Sequence, residues 1–355
     1  MNKLPLIITL LAGAFLASIT SVFGSTVTTT PVGYITKSVN ASADLKLALP
    51  FKQSSALTGS VGSVSSGTIT VSTTVPDITT SVHYLWITSG VLEGNWYQVI
   101  GSDASGTISV TEDLENAGLL ASSTFDVIPV WTLNTLFVDG AGFPGSSDVF
   151  AAVAFVALNS VTATGTNLAP DALYFYHDGT QGDAGWYKNG ALEEGLQNDV
   201  IISPGSYITV RNGTSSAIDI TVAGTVPSSS VGNDVVQFAS NVQDNQIANP
   251  FPVAMTLSAA NLVGGGVVTP SPDVFAPIDL LLVYSVTPSG YNPAPDKTLF
   301  YHDGTQGDAG WYVNGALEQG LQDNFEIPAG AAIIVRKASG ADSNGTWTPT
   351  LPYTL

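Results

Sequence analysis

Cysteine is absent from all 355 residues, lysine and arginine together number 9, histidine 3 and methionine 2, and charged side chains make up only 10% of the chain. Without cysteine there is no disulfide, no thiolate metal site and no lipid-modified thiol. In a secreted chain of this size that absence points to a bacterial product, because small extracellular domains in animals usually rely on disulfides. The shortage of bases excludes a phosphate-neutralising surface: 28 acids against 9 bases give a formal charge of −19, so nucleic acid is not an expected partner. Also missing are His-Glu-x-x-His, Gly-x-Ser-x-Gly and a phosphate-cradling loop with its lysine. Long amphipathic helical patterns are nearly absent; only Thr111 to Leu120 and Met255 to Leu262 read as short helical turns.

What is present is a hydrophobic content of 44%, enough for a packed core, with polarity supplied by Ser, Thr, Asn and Gly rather than by charge. Short β-branched runs such as Thr68-Ile69-Thr70-Val71, Ile218 to Val222 and Ile333-Ile334-Val335 are punctuated by Gly, Pro and Asn, which reads as an all-β chain. Val200 to Val210 reads as a hairpin turning at Pro204-Gly205. Residues 1–24 have the parts of a secretory signal peptide: Lys3, an apolar run from Leu4 to Leu16, then Val22 and Gly24 at the small-residue positions before Ser25. Cleavage there leaves no transmembrane domain and predicts export to the periplasm, cell surface or exterior. A membrane barrel is not expected, since Pro349 and Pro352 interrupt the C-terminal alternation and the strands are shorter than the ~9 to 11 residues needed to span.

The chain repeats itself. Asp148-Val149-Phe150-Ala151 returns as Asp273-Val274-Phe275-Ala276, and the twelve-residue block Tyr176 to Tyr187 returns as Tyr301 to Tyr312; 273 − 148 and 301 − 176 are both 125, so no gap intervenes. The match continues to Arg211 and Arg336. A fainter third copy is read upstream, with His83-Tyr84-Leu85-Trp86, Gly94-Asn95-Trp96-Tyr97 and Phe125 to Val130 standing for the aromatic hairpin and closing strand. Three opening elements are read at Leu47 to Phe51, Thr132 to Phe137 and Ile247 to Phe251. The expected architecture is a signal peptide (1–24), a divergent N-terminal β unit (25–130) and two β repeat units (131–227 and 228–355), the units being tandem and sandwich-like.

Asn249-Pro250-Phe251, the hairpin at Tyr301-His302-Asp303-Gly304, and Ile327-Pro328-Ala329-Gly330 with Val335-Arg336 resemble the marks of a β-module of exported and cell-surface bacterial proteins. The first unit departs from that pattern, lacking the Asp-Gly turn and the Pro-x-Gly segment. The resemblance implies location and architecture, and no chemistry.

Within the block, Trp186, Tyr187, Trp311 and Tyr312 are candidate platforms for a sugar face, although strand neighbours point to opposite sides, so one ring of each pair belongs to the core. Asp178, Asp183, Asp303 and Asp308 are candidate calcium ligands; against that, calcium takes six to eight oxygens, and Asp-Gly spacing is explained by turn formation alone. Only Glu193 and Glu318 recur among the neighbouring glutamates, which does not give a glycosidase its two opposed carboxyls. The expected function is that of a non-catalytic structural or surface-interaction protein of adhesion or assembly, with a surface glycan or envelope protein as partner. The alternative is a carbohydrate-binding or calcium-dependent module.

Overall fold

The computed structural model describes residues 30–355 apart from 77, 79, 80, 161, 341 and 342, so the expected signal peptide lies outside the described residues. The chain is all-β, its helices being single turns. Two five-stranded antiparallel sheets dominate. The first runs in the order Gly185–Lys188, Pro170–His177, Ala154–Asn159, Tyr207–Asn212, Ala43–Ala48. The second runs Gly310–Val313, Lys297–His302, Leu280–Val283, Ala332–Lys337, Gln243–Ala248.

Corresponding rungs are 125 residues apart: Val156 faces Val210 as Leu281 faces Val335, and Tyr176 faces Trp186 as Tyr301 faces Trp311. The edge strands break that interval. Val210 pairs with Leu45 but Val335 with Asn245, and 245 − 45 is 200. The excess of 75 is the extra chain between Phe51 and Trp131, most of which closes into a six-stranded barrel of Leu57–Ser65, Thr68–Val71, Thr107–Val110, Trp96–Asp103, His83–Ile87 and Thr124–Pro129.

This redraws the boundary expected at residue 130. Val32–Val39 pairs with Ile218–Thr225, and Ala43–Ala48 with Tyr207–Asn212, so the start of the expected 25–130 unit belongs to the first sheet's lobe, and the rest of its strands form a barrel inserted into that lobe. The motif read as a third copy is the barrel hairpin in which Trp86 faces Trp96; an aromatic hairpin does not specify which strands flank it. Thr132 to Phe137 is not an opening element either. Thr132 caps the single turn Leu133–Leu136, matched in the second lobe by Thr256 and Leu257–Ala260. The expected hairpin at residues 200–210 is two separate pairings, because Ile201–Ile202 joins Trp131–Thr132 while Tyr207–Asn212 joins the sheet.

Alternation along each strand divides its side chains between two environments. Ile208, Val210, Leu45, Val156 and Trp186 point into the first lobe's core under the ribbon carrying Ile220 and Val222. Leu281, Leu299, Trp311, Ile333 and Val335 do the same in the second lobe, where Trp347 closes the core. The opposite faces of the sheets meet each other through Ala48, Tyr207, Ala248, Leu282, Ala332 and Ile334.

Ion pairs flank that contact reciprocally. Arg211 forks onto Asp44 through Nε and Nη2, both at 2.8 Å, and Arg336 onto Asp244 at 2.6 and 2.9 Å. Each buried carboxylate also accepts a backbone N–H from the other lobe, Asp44 from Asn292 and Asp244 from Asn167. The N–H of Asp44 donates to Gly290 and that of Asp244 to Gly165. These are the self-complementary contacts of a two-fold interface built within one chain.

Candidate functional site

The repeated block forms a strand, a loop and a returning strand, and its polar groups are spent on the loop. Asp178 Oδ1 accepts the backbone N–H of Thr180 at 2.9 Å and its hydroxyl at 2.6 Å; Asp303 receives the same two bonds from Thr305. Those hydroxyl and amide donors hold both carboxyls below the usual aspartate range. Asp183 and Asp308 serve through their carbonyls, which accept the phenol hydroxyls of Tyr187 and Tyr312 at 3.1 and 3.0 Å. His177 and His302 are buried beneath the loops and accept the N–H groups of Gly179 and Gly304 at Nδ1. Each loop thus carries two aspartates, one of them already committed to its own turn. Among the described residues no group of three or more His, Asp or Glu stands close enough to hold a metal ion.

The tryptophans expected as platforms are core residues. Trp186 is 0% and Trp311 2% exposed, Trp186 sitting among Phe137, Phe143 and Tyr176. Strand alternation sends the indoles inward and leaves the neighbouring tyrosines on the other face. There Tyr187 stacks on Phe175 and meets the edge of His177, and Tyr312 does so with Phe300 and His302. These rings are half-buried and already in contact on their faces and edges.

Beside each block lies an exposed aromatic ring. Phe150 is 86% and Phe275 84% exposed, at positions 125 residues apart. Each backbone N–H is held at 2.8 Å by a carboxylate two residues earlier, Asp148 or Asp273, and the turn is closed by Ala151 donating to Asp148 and Ala276 to Asp273. Ser146 and Ser271 then bridge the turns in parallel to His177 and His302. The signal in the sequence is a phenylalanine two residues after an aspartate and outside any alternating run, at Asp148-Val149-Phe150 and Asp273-Val274-Phe275.

Comparison with known proteins adds no relative: no family model, no curated protein and no solved structure matches the chain.

Proposed function

We propose that this chain is an exported, non-catalytic interaction protein that acts at the cell envelope or outside it and docks through Phe150 and Phe275. The observation that carries this reading is the near-complete exposure of both rings on equivalent aspartate-closed turns. A phenylalanine left in water forgoes roughly 2 kcal/mol of burial, and a turn fixed in advance lowers the ordering cost of burying it against a partner. The partner that fits is an apolar pocket on an envelope protein. The leader-like start, the absence of cysteine and the resemblance to exported β-modules support the location. The calcium alternative lacks a donor set, since the loop aspartates come in twos and Asp178 and Asp303 are engaged by their own turns. The test is replacement of both phenylalanines by serine: co-sedimentation of the mature chain with isolated envelopes is lost while its melting temperature is kept.

A further inference from the structure

One backbone contact between the lobes has no two-fold counterpart. Ala48 donates its backbone N–H to Gly330 at 3.1 Å, and Leu47 bridges to Ala331. By the 200- and 125-residue offsets the counterparts of Ala48 and Gly330 are Ala248 and Gly205, and among the described residues no bond joins that pair. Beside Gly205 a cleft of about 600 Å³ opens, lined by residues of both lobes, Gln246 and Ser206 among them, and by Tyr84, Trp96 and Gln98 of the barrel.

We propose that this cleft binds a short neutral saccharide. Asn233 lines it, is only 3% exposed, and has no partner at either Oδ1 or Nδ2. Buried amide atoms left unpaired cost roughly 1–3 kcal/mol each, and what would pair them is a group that donates and accepts over a short span. Adjacent hydroxyls do this. Trp96 is half-buried and set edge-to-face against Tyr84 at 4.8 Å, with its indole N–H fixed on the Gly232 carbonyl. That leaves a firmly held apolar wall for the C–H face of a sugar ring.

The charge pattern narrows the class. Among the described residues no lysine or arginine lines the cleft, so an anionic ligand has no counter-charge there. Its two carboxylates are engaged, Asp244 by Arg336 and Asp234 by the hydroxyl of Thr346, which leaves a cation only neutral amide oxygens. A neutral, hydroxyl-rich ligand meets none of these penalties.

Isothermal titration of the mature chain with cellotetraose, chitotetraose and maltotetraose tests the proposal. At least one should bind saturably, and Asn233→Leu should weaken that binding roughly tenfold, as expected for two lost hydrogen bonds. Because Asn233 begins a strand and packs on Gly205, Gln98→Ala at the exposed rim is the companion variant, expected to weaken binding about threefold with an unchanged melting temperature. Absence of saturable binding by all three sugars, which would mean that water alone fills the cleft, overturns the proposal, as does binding indifferent to both variants. The Phe150→Ser/Phe275→Ser chain should bind sugar normally, so that failure here and failure of envelope docking are separate results.

Discussion

Asn167 and Asn292 make the same contact in opposite directions. Asn167 of the first lobe donates its N–H to Asp244 of the second at 2.7 Å, and Asn292 of the second donates to Asp44 of the first at 2.9 Å. Both adopt left-handed backbone, with φ of 53° and 47°, a conformation that asparagine tolerates better than most side chains. Each arginine carboxylate pair is therefore completed by the partner lobe, which ties ion pairing within a sheet to docking between sheets.

Removing one acid should show that tie. Asp244 is 1% exposed on its side chain and Arg336 24%, so Asp244→Ala leaves a partly buried guanidinium and the Asn167 N–H without their acceptor. Urea denaturation should give a loss of about 3 kcal/mol, with a similar loss for Asp44→Ala. A loss under about 1 kcal/mol for either, the value of an exposed pair, would show that the reciprocal contact is ornamental.

The second lobe also contains a buried ion pair at a position that is neutral in the first. Lys337, 4% exposed, bonds Asp279, 0% exposed, together with the Val267 carbonyl and the Thr269 hydroxyl. At the matching position, 125 residues earlier, Asn212 serves three carbonyls with a neutral amide. Lys337→Met alone should cost roughly 3–5 kcal/mol by stranding the carboxylate, and adding Asp279→Leu should recover most of it. Chemical denaturation of the single and double variants decides; a double variant as unstable as the single would mean that the charges do more than neutralise one another.

The repeated block should behave as a structural element. Trp186→Ala and Trp311→Ala empty core positions, each expected to cost about 3–5 kcal/mol, whereas Tyr187→Phe removes one hydrogen bond to the Asp183 carbonyl, worth about 1 kcal/mol. Thermal melts of the three variants should rank accordingly. A Trp186→Ala chain with wild-type stability would contradict the burial of that indole.

Much of this architecture was legible in sequence and some was not, for physical reasons. The 125-residue interval fixed matching rungs such as Tyr176 with Trp186 and Tyr301 with Trp311, because local hairpins are set by nearby residues. The pairing of Val32–Val39 with Ile218–Thr225 is a contact over nearly the whole first lobe, and nothing in either strand names its partner, so in sequence the inserted barrel looks like a preceding unit. The opening motif held the clue: Phe51 and Phe251 lie 200 residues apart while the blocks lie 125 apart. In the candidate site, alternation showed that one ring of each Trp-Tyr pair is inward but not which one. The cleft was illegible altogether, since Trp96, Asn233 and Gln246 are gathered from distant segments.

Alkaline pH should unfold the chain within a definable window. Burial pushes the Tyr353 phenol up to about 12 and raises those of Tyr84 and Tyr207 as well, whereas an unfolded chain releases these protons near pH ~10. Below that point both states hold the proton and these groups give no pH dependence. Above it the unfolded state alone ionises, so stability falls as pH rises from about 10 towards 12. Urea midpoints measured across that range should drop, with tyrosinate absorbance lagging behind that of free tyrosine. Flat midpoints with tyrosinate appearing at pH ~10 would contradict the burial of these rings.

Docking through these rings is tested most directly by measuring the affinity of residues 25–355 for isolated envelopes alongside Phe150→Ser, Phe275→Ser and the double variant. Because the two rings are equally exposed on equivalent turns, each single change should weaken binding by a similar factor, on the order of tenfold for the loss of one buried ring, and the double change should abolish it with the melting temperature unchanged. Envelope binding by the double variant as tight as that of the wild type would contradict the account.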